Sequence, residues 1–159
     1  MKSNRKIESL GVGKLSDLIN DNDLLQAYID SNDKTPMWDG EVHVLKVASD
    51  KKEDIIGRVP IQVKTTQRKT RLNSFDISAS DLISYKSDGG IFFFVVFLDS
   101  EGKLKKICYR SLLPLTIRNL LRKWHCTHKM RHKKTLLLKS GKIETGVFCY
   151  GQKSIFSRN

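Results

Sequence analysis

Hydrophobic and polar positions change period several times along the chain, and each change marks an element. Leu15, Leu18 and Ile19, then Leu24, Leu25, Tyr28 and Ile29, recur at helical spacing with a break at residues 20–23, which predicts one helix or a helix pair. Residues 31–36 close that segment, because Asn, Asp and the residue before proline disfavour helix. Alternation then takes over. Residues 41–47 read as a strand, 48–53 as a charged turn, 54–65 as its antiparallel partner and 72–77 as a third strand. Ser78 stands as N-cap, with Asp81 three residues on, for a short helix through Tyr85. Gly89 and Gly90 reset the backbone, and residues 91–98 are apolar on both faces, the mark of a central strand. Residues 105–110 continue as a strand. Pro114 opens a helix with Leu113, Ile117, Leu120, Leu121 and Trp124 on one stripe. Residues 135–138 and 147–150 read as two short strands around a Ser140-Gly141 turn.

The predicted order is helix, strand, strand, strand, helix, strand, with a further strand, a helix and short strands appended. That order predicts an α+β fold, a three-layer α/β/α sandwich around a central mixed sheet. Residues 1–14, polar and carrying Gly11 and Gly13, read as a flexible arm, leaving 15–159 as a single domain. A length of 159 residues suits one hydrophobic core rather than two, and 39% hydrophobic content argues for a folded chain. The longest apolar run, 91–98, is too short to span a bilayer, so no membrane association is expected. No charged-then-apolar secretory segment opens the sequence. Three scattered cysteines do not make a disulfide framework, and a reducing cytoplasm is the simplest compartment.

Charge changes the picture. The net charge is +12, and residues 103–142 hold thirteen Lys and Arg with no Asp or Glu. Such a segment favours phosphate backbones, with Arg118, Arg122, Lys123, Arg131 and Lys133 as candidate DNA contacts. A solvated basic surface, or a face for an acidic partner, fits the same composition.

Candidate chemistry lies between residues 39 and 64. Alternation puts Val42 and Val44 on one face and Asp39, Glu41 and His43 on the other; in the next strand Ile61 and Val63 oppose Gln62 and Lys64. Asp39 is a candidate ligand for a divalent cation, although Asp39-Gly40 also fits a simple turn. Gln62 offers a carbonyl oxygen without charge. Glu41 either supplies a second carboxylate or faces solvent. Lys64 is placed to position a water or offset charge on a phosphate. His125, His128 and His132 lack the second cysteine pair of a zinc finger and read as part of a basic loop or helix end.

The run Asn32-Asp33-Lys34-Thr35-Pro36-Met37-Trp38-Asp39-Gly40, followed by Ile61-Gln62-Val63-Lys64, resembles the PD-(D/E)xK (restriction-endonuclease-like) nuclease superfamily, and within it the Mrr-like branch. The resemblance covers about residues 15–121, through Asp81–Tyr85 and Gly89–Phe94. It implies a metal-dependent endonuclease cutting DNA, with Asp39 and Gln62 as ligands of Mg2+ or Mn2+ and Lys64 as the catalytic lysine. Gln62 then replaces the usual acid of the second motif, a substitution that branch tolerates. Many members add an acid from the first helix; Glu8, Asp17 and Asp21 are the candidates, and the sequence does not choose among them. The resemblance further implies a prokaryotic, cytoplasmic role in defence against foreign DNA, as part of a larger assembly or a homo-oligomer. The alternatives are a catalytically inactive nucleic-acid-binding module with the same fold, and a protein-docking module. The nuclease reading requires the strands carrying residues 39–47 and 59–65 to be neighbours, with Asp39, Gln62 and Lys64 converging in one cleft.

Overall fold

A computed structural model describes residues 3–30, 38–67, 74–125, 133–137 and 139–141. Its first element, α1 (Asn4–Asn20), replaces the expected arm. The Ser3 hydroxyl caps it by accepting from the Lys6 N–H at 3.3 Å. Ile7, Leu10, Val12, Leu15, Leu18 and Ile19 form its buried or half-buried stripe. Gly11, which disguises the helix in the sequence, is where the helix touches the sheet. A Cβ there would stand 2.7 Å from the Thr65 Cβ and closer still to the Thr65 hydroxyl and methyl groups.

The chain turns at Asn22, whose side chain accepts from the Leu24 N–H at 2.9 Å, and enters β1 (Leu25–Ile29). Helical spacing suggested a second helix here. The segment is instead a short strand with Leu25, Ala27 and Ile29 toward the core, a set too short for its period to be read unambiguously. The further elements are β2 (Gly40–Leu45), β3 (Ile55–Thr66), β4 (Ser74–Ser78), α2 (Ala79–Ser87), β5 (Ile91–Leu98), β6 (Leu104–Leu112), α3 (Pro114–His125), β7 (Lys133–Leu137) and β8 (Lys139–Gly141).

Six strands form a mixed sheet in the order β1-β2-β3-β5-β6-β8, with β3 and β5 parallel and every other pair antiparallel. A parallel pair needs a crossover, and α2 lies within the β3-to-β5 connection. The expected third strand therefore does not join this sheet; β4 pairs with β7 in a separate two-stranded sheet. Ser140 and Gly141, expected in a turn, lie in β8 opposite Cys108 and Ile107. The expected strand 147–150 lies outside the described residues.

Two cores result, one on each face of the sheet. Beneath α1, Leu15 and Ile19 pack with Val42, Ile61, Val63, Phe94 and Val96. On the other face Leu82 and Tyr85 of α2 and Ile117 of α3 pack with Phe93, Val95, Phe97 and Cys108. The architecture is α+β with helices on both faces, and β5 runs through its middle buried from both sides. Among the described residues no helix is long and apolar enough to cross a membrane.

Candidate functional site

The strand β3 changes neighbours along its length, and the candidate residues gather where it does so. Residues 55–61 pair with β2, whereas Ile61 to Thr66 pair with β5. Asp39 stands at the changeover, one residue before β2. Its N–H donates to the Ile61 carbonyl and its carbonyl accepts from the Asp30 N–H, both at 3.0 Å, so its backbone is held from two sides. Gly40 allows this fit: it has φ of +152°, and a Cβ there would lie 2.8 Å from Ile29 Cα and closer still to the Tyr28 carbonyl. The close approach that Gly40 permits is thus to a neighbouring strand of the same sheet.

From that position the Asp39 side chain continues the ladder where β2 stops. Its Oδ2 accepts from the Val63 backbone N–H at 2.7 Å and from the Gln62 amide nitrogen Nε2. Gln62 is 6% exposed, and its Oε1 accepts from the Tyr85 hydroxyl at 3.4 Å. Burial, with the Asp81 and Asp39 charges beside it, holds the Tyr85 phenol protonated well beyond the usual tyrosine range. A continuous polar chain therefore runs from α2 through β3 to the start of β2: Tyr85 donates to Gln62, and Gln62 donates to Asp39. Sequence reasoning did not single out Tyr85. Its only sequence signal is a place three residues after Leu82 on the inner stripe of α2, and its partner is 23 residues away.

Lys64 follows Gln62 on the same face of β3, half-buried beside Val95 in the parallel pair. Among the described residues no acid pairs with it. Glu41 is engaged elsewhere: its Oε1 lies 2.6 Å from His43 Nε2 and 3.9 Å from Arg58 Nη1. The Tyr28 ring covers His43, with centroids 4.4 Å apart. Glu8 and Asp17 are exposed on α1 and Asp21 at its C-cap, in the layer opposite Gln62 and Lys64. The fold brings together Asp39 and Gln62, with Lys64 on the same face, and leaves Glu41 and the α1 acids out of that cluster.

Arg118 and Arg122 are exposed on α3, in the same layer as α2 and therefore on the Lys64 side of the sheet. Lys123 and Lys133 are placed by their backbone alone, in α3 and at the start of β7. Arg131, with residues 31–37 and His128 and His132, lies outside the described residues.

The donors at the site are hard oxygens, the Asp39 carboxylate and the Gln62 carbonyl, the kind Mg2+ and Mn2+ take while keeping water or phosphate oxygens. Among the described residues no group of three or more His, Cys, Asp or Glu is placed to hold a metal ion. The set is of the right chemistry and sparse in charge. No protein-family model matches the chain, and no curated protein or solved structure does so either.

Proposed function

We propose that this chain is a metal-dependent endonuclease domain acting on DNA, with its site at Asp39, Gln62 and Lys64. The observation that carries this reading is the meeting of Asp39 and Gln62 at the β2–β3–β5 changeover, with a half-buried lysine next on the same face. A bound Mg2+ or Mn2+ would supply charge neutralisation at a phosphate and a more acidic water. Asp39 would hold it through its carboxylate, and Gln62 through Oε1 once the amide has turned. Lys64 has the position and charge to orient an attacking water or offset charge on the phosphate. Arg118 and Arg122 extend positive charge along the same layer, which suits a polyanion whose backbone is gripped without regard to sequence. The resemblance of residues 32–40 and 61–64 to PD-(D/E)xK nucleases supports the same reading and adds the setting of prokaryotic defence.

One observation favours a second reading. Gln62 presents its N–H end to Asp39, so the site closes on itself without a cation, as it would in a DNA-binding module that keeps the fold and has lost cleavage. Incubation with supercoiled plasmid and linear DNA, with and without Mg2+ or Mn2+, separates the two. Under the nuclease reading cleavage requires the metal and disappears in Lys64→Ala at DNA concentrations that saturate the variant. Metal-independent nicking, or equal cleavage by Lys64→Ala, refutes it.

A further inference from the structure

We infer that Tyr85 is a positioning residue: its hydroxyl holds the Gln62 amide with the NH2 end toward Asp39, and so keeps the Gln62 oxygen away from any cation shared with that carboxylate. This rests on the proposed site and goes further, because it assigns a role to a side chain on another element and makes Gln62 a gate.

The orientation follows from donors and acceptors. An ionised carboxylate only accepts, so Asp39 Oδ2 selects the amide nitrogen. The Tyr85 hydroxyl donates to the amide oxygen at 3.4 Å and has no other acceptor among the described residues. Both ends of Gln62 are thereby set in the same sense. With the amide reversed, Oε1 would face Asp39 Oδ2, two acceptors together in a buried place unless a cation lay between them. A turned Gln62 would lose its bond to Asp39, and although its N–H could then reach the phenol oxygen, the buried Tyr85 O–H would lose its acceptor. Asp39 is held by backbone on two sides, and Tyr85 is buried at 6% exposure with Leu82 in the core under α2, so neither anchor follows the amide as it turns. Tyr85 thus raises the cost of the cation-binding arrangement while touching neither cation nor substrate. A purely space-filling tyrosine would make the hydroxyl dispensable to Gln62.

The test compares the full chain with Tyr85→Phe, which keeps the ring; Tyr85→Met serves the same comparison if the Phe variant does not fold. Two readouts are taken. The first is the 1H–15N signal of the Gln62 side-chain amide, identified by its loss in Gln62→Leu. In Tyr85→Phe this amide should shift and exchange with solvent roughly three to ten times faster, the fold-change matching one modest hydrogen bond. The second is Mn2+ titration followed by electron paramagnetic resonance, in which Tyr85→Phe should bind roughly three to ten times more tightly for the same reason. An unchanged Gln62 amide overturns the inference, and so does Mn2+ affinity that is equal or weaker in the variant. If neither protein binds Mn2+, the metal-dependent nuclease reading falls, and the amide signal alone decides whether Tyr85 positions Gln62.

Discussion

Removing the Asp39 carboxylate should damage the fold as well as the chemistry, and the two effects separate by choice of substitution. Asp39→Ala deletes the acceptor for the Val63 N–H at 2.7 Å and for the Gln62 amide N–H, both in partly buried surroundings. Hydrogen bonds to a charged group contribute about 1.5–3 kcal/mol each, and water entering the gap recovers part of that, so the expected loss is about 2–4 kcal/mol. A domain of this size has about 5–15 kcal/mol in hand and loses roughly 2–4 °C in Tm per kcal/mol, which puts the fall near 5–15 °C. Asp39→Asn keeps an oxygen where Oδ2 accepts both donors but replaces two charge-assisted bonds by neutral ones, so it should lose less, about 1–2 kcal/mol. Urea unfolding with a fixed m-value measures both variants, and DNA cleavage in Mn2+ is assayed at a temperature where Asp39→Asn is fully folded. Cleavage should vanish in Asp39→Asn with most of the stability retained. If Asp39→Ala is as stable as the parent, the carboxylate is not closing the ladder at Val63. If Asp39→Asn cuts normally, Asp39 is not the metal-binding acid.

Gly11→Ala forces a Cβ into the Thr65 side chain; overpacking of about 1–3 kcal/mol outweighs the roughly 1 kcal/mol gained in helix propensity, and Thr65→Ala should restore much of the loss in urea unfolding of the double variant. Asp99 accepts from the Lys103 N–H at 2.8 Å and the Glu101 N–H at 2.9 Å, which hold its carboxyl below the ordinary 3.8. Its stabilisation is therefore present above about pH 4 and lost as pH falls through the lowered value, so Asp99→Asn should flatten the acid limb of a stability–pH curve. Arg118→Glu with Arg122→Glu should weaken DNA binding for all sequences and reduce the salt slope, measured by fluorescence anisotropy; unchanged affinity and slope would show that α3 faces something else. Gln62→Glu sets a second carboxylate against Asp39 and should lower Tm without metal and recover it in Mn2+; a Tm indifferent to Mn2+ counts against a shared cation.

Much of the sheet was legible because its strands bury one face or both. The alternation of Val42 and Val44 and of Ile61 and Val63, and the doubly apolar run of β5, each assign a strand and a face, and the β2–β3 hairpin follows from the short connection between them. What was illegible depends on partners distant in sequence. Gly11 weakens the local helical signal because Thr65, 54 positions on, needs the space. Leu25 to Ile29 has a period too brief to tell strand from helix. β4 looks like a sheet strand and is one, but its partner β7 lies more than fifty residues away, and no alternation says which sheet a strand will join. At the site, the meeting of Asp39 with Gln62 and the common face of Gln62 and Lys64 were readable from period two. Glu41 shares that face in the sequence, yet His43 two residues on and Arg58 across the hairpin take up its carboxylate, and spacing alone cannot say which neighbour wins.

A glutamine at position 62, read against the acid expected in that motif, looks like a loss of function; within this fold it is also the residue whose amide links Asp39 to Tyr85. A carboxylate at 62 would face Asp39 Oδ2 as a like charge at close range, and the Tyr85 hydroxyl could satisfy only one of its oxygens. The amide has both polarities, and its two ends match the Asp39 carboxylate and the Tyr85 hydroxyl. Under the proposed nuclease reading that arrangement would lower the affinity for metal through a missing charge and again through the bonds Gln62 must surrender. On that reading the site would rest closed, and its activity would depend on whatever favours turning of the Gln62 amide, of which a phosphate held near Lys64 is the most direct: added negative charge near Asp39 favours a cation between them over the internal amide–carboxylate hydrogen bond. Substrate and metal would then bind with mutual reinforcement, and by linkage each should tighten the other by the same factor.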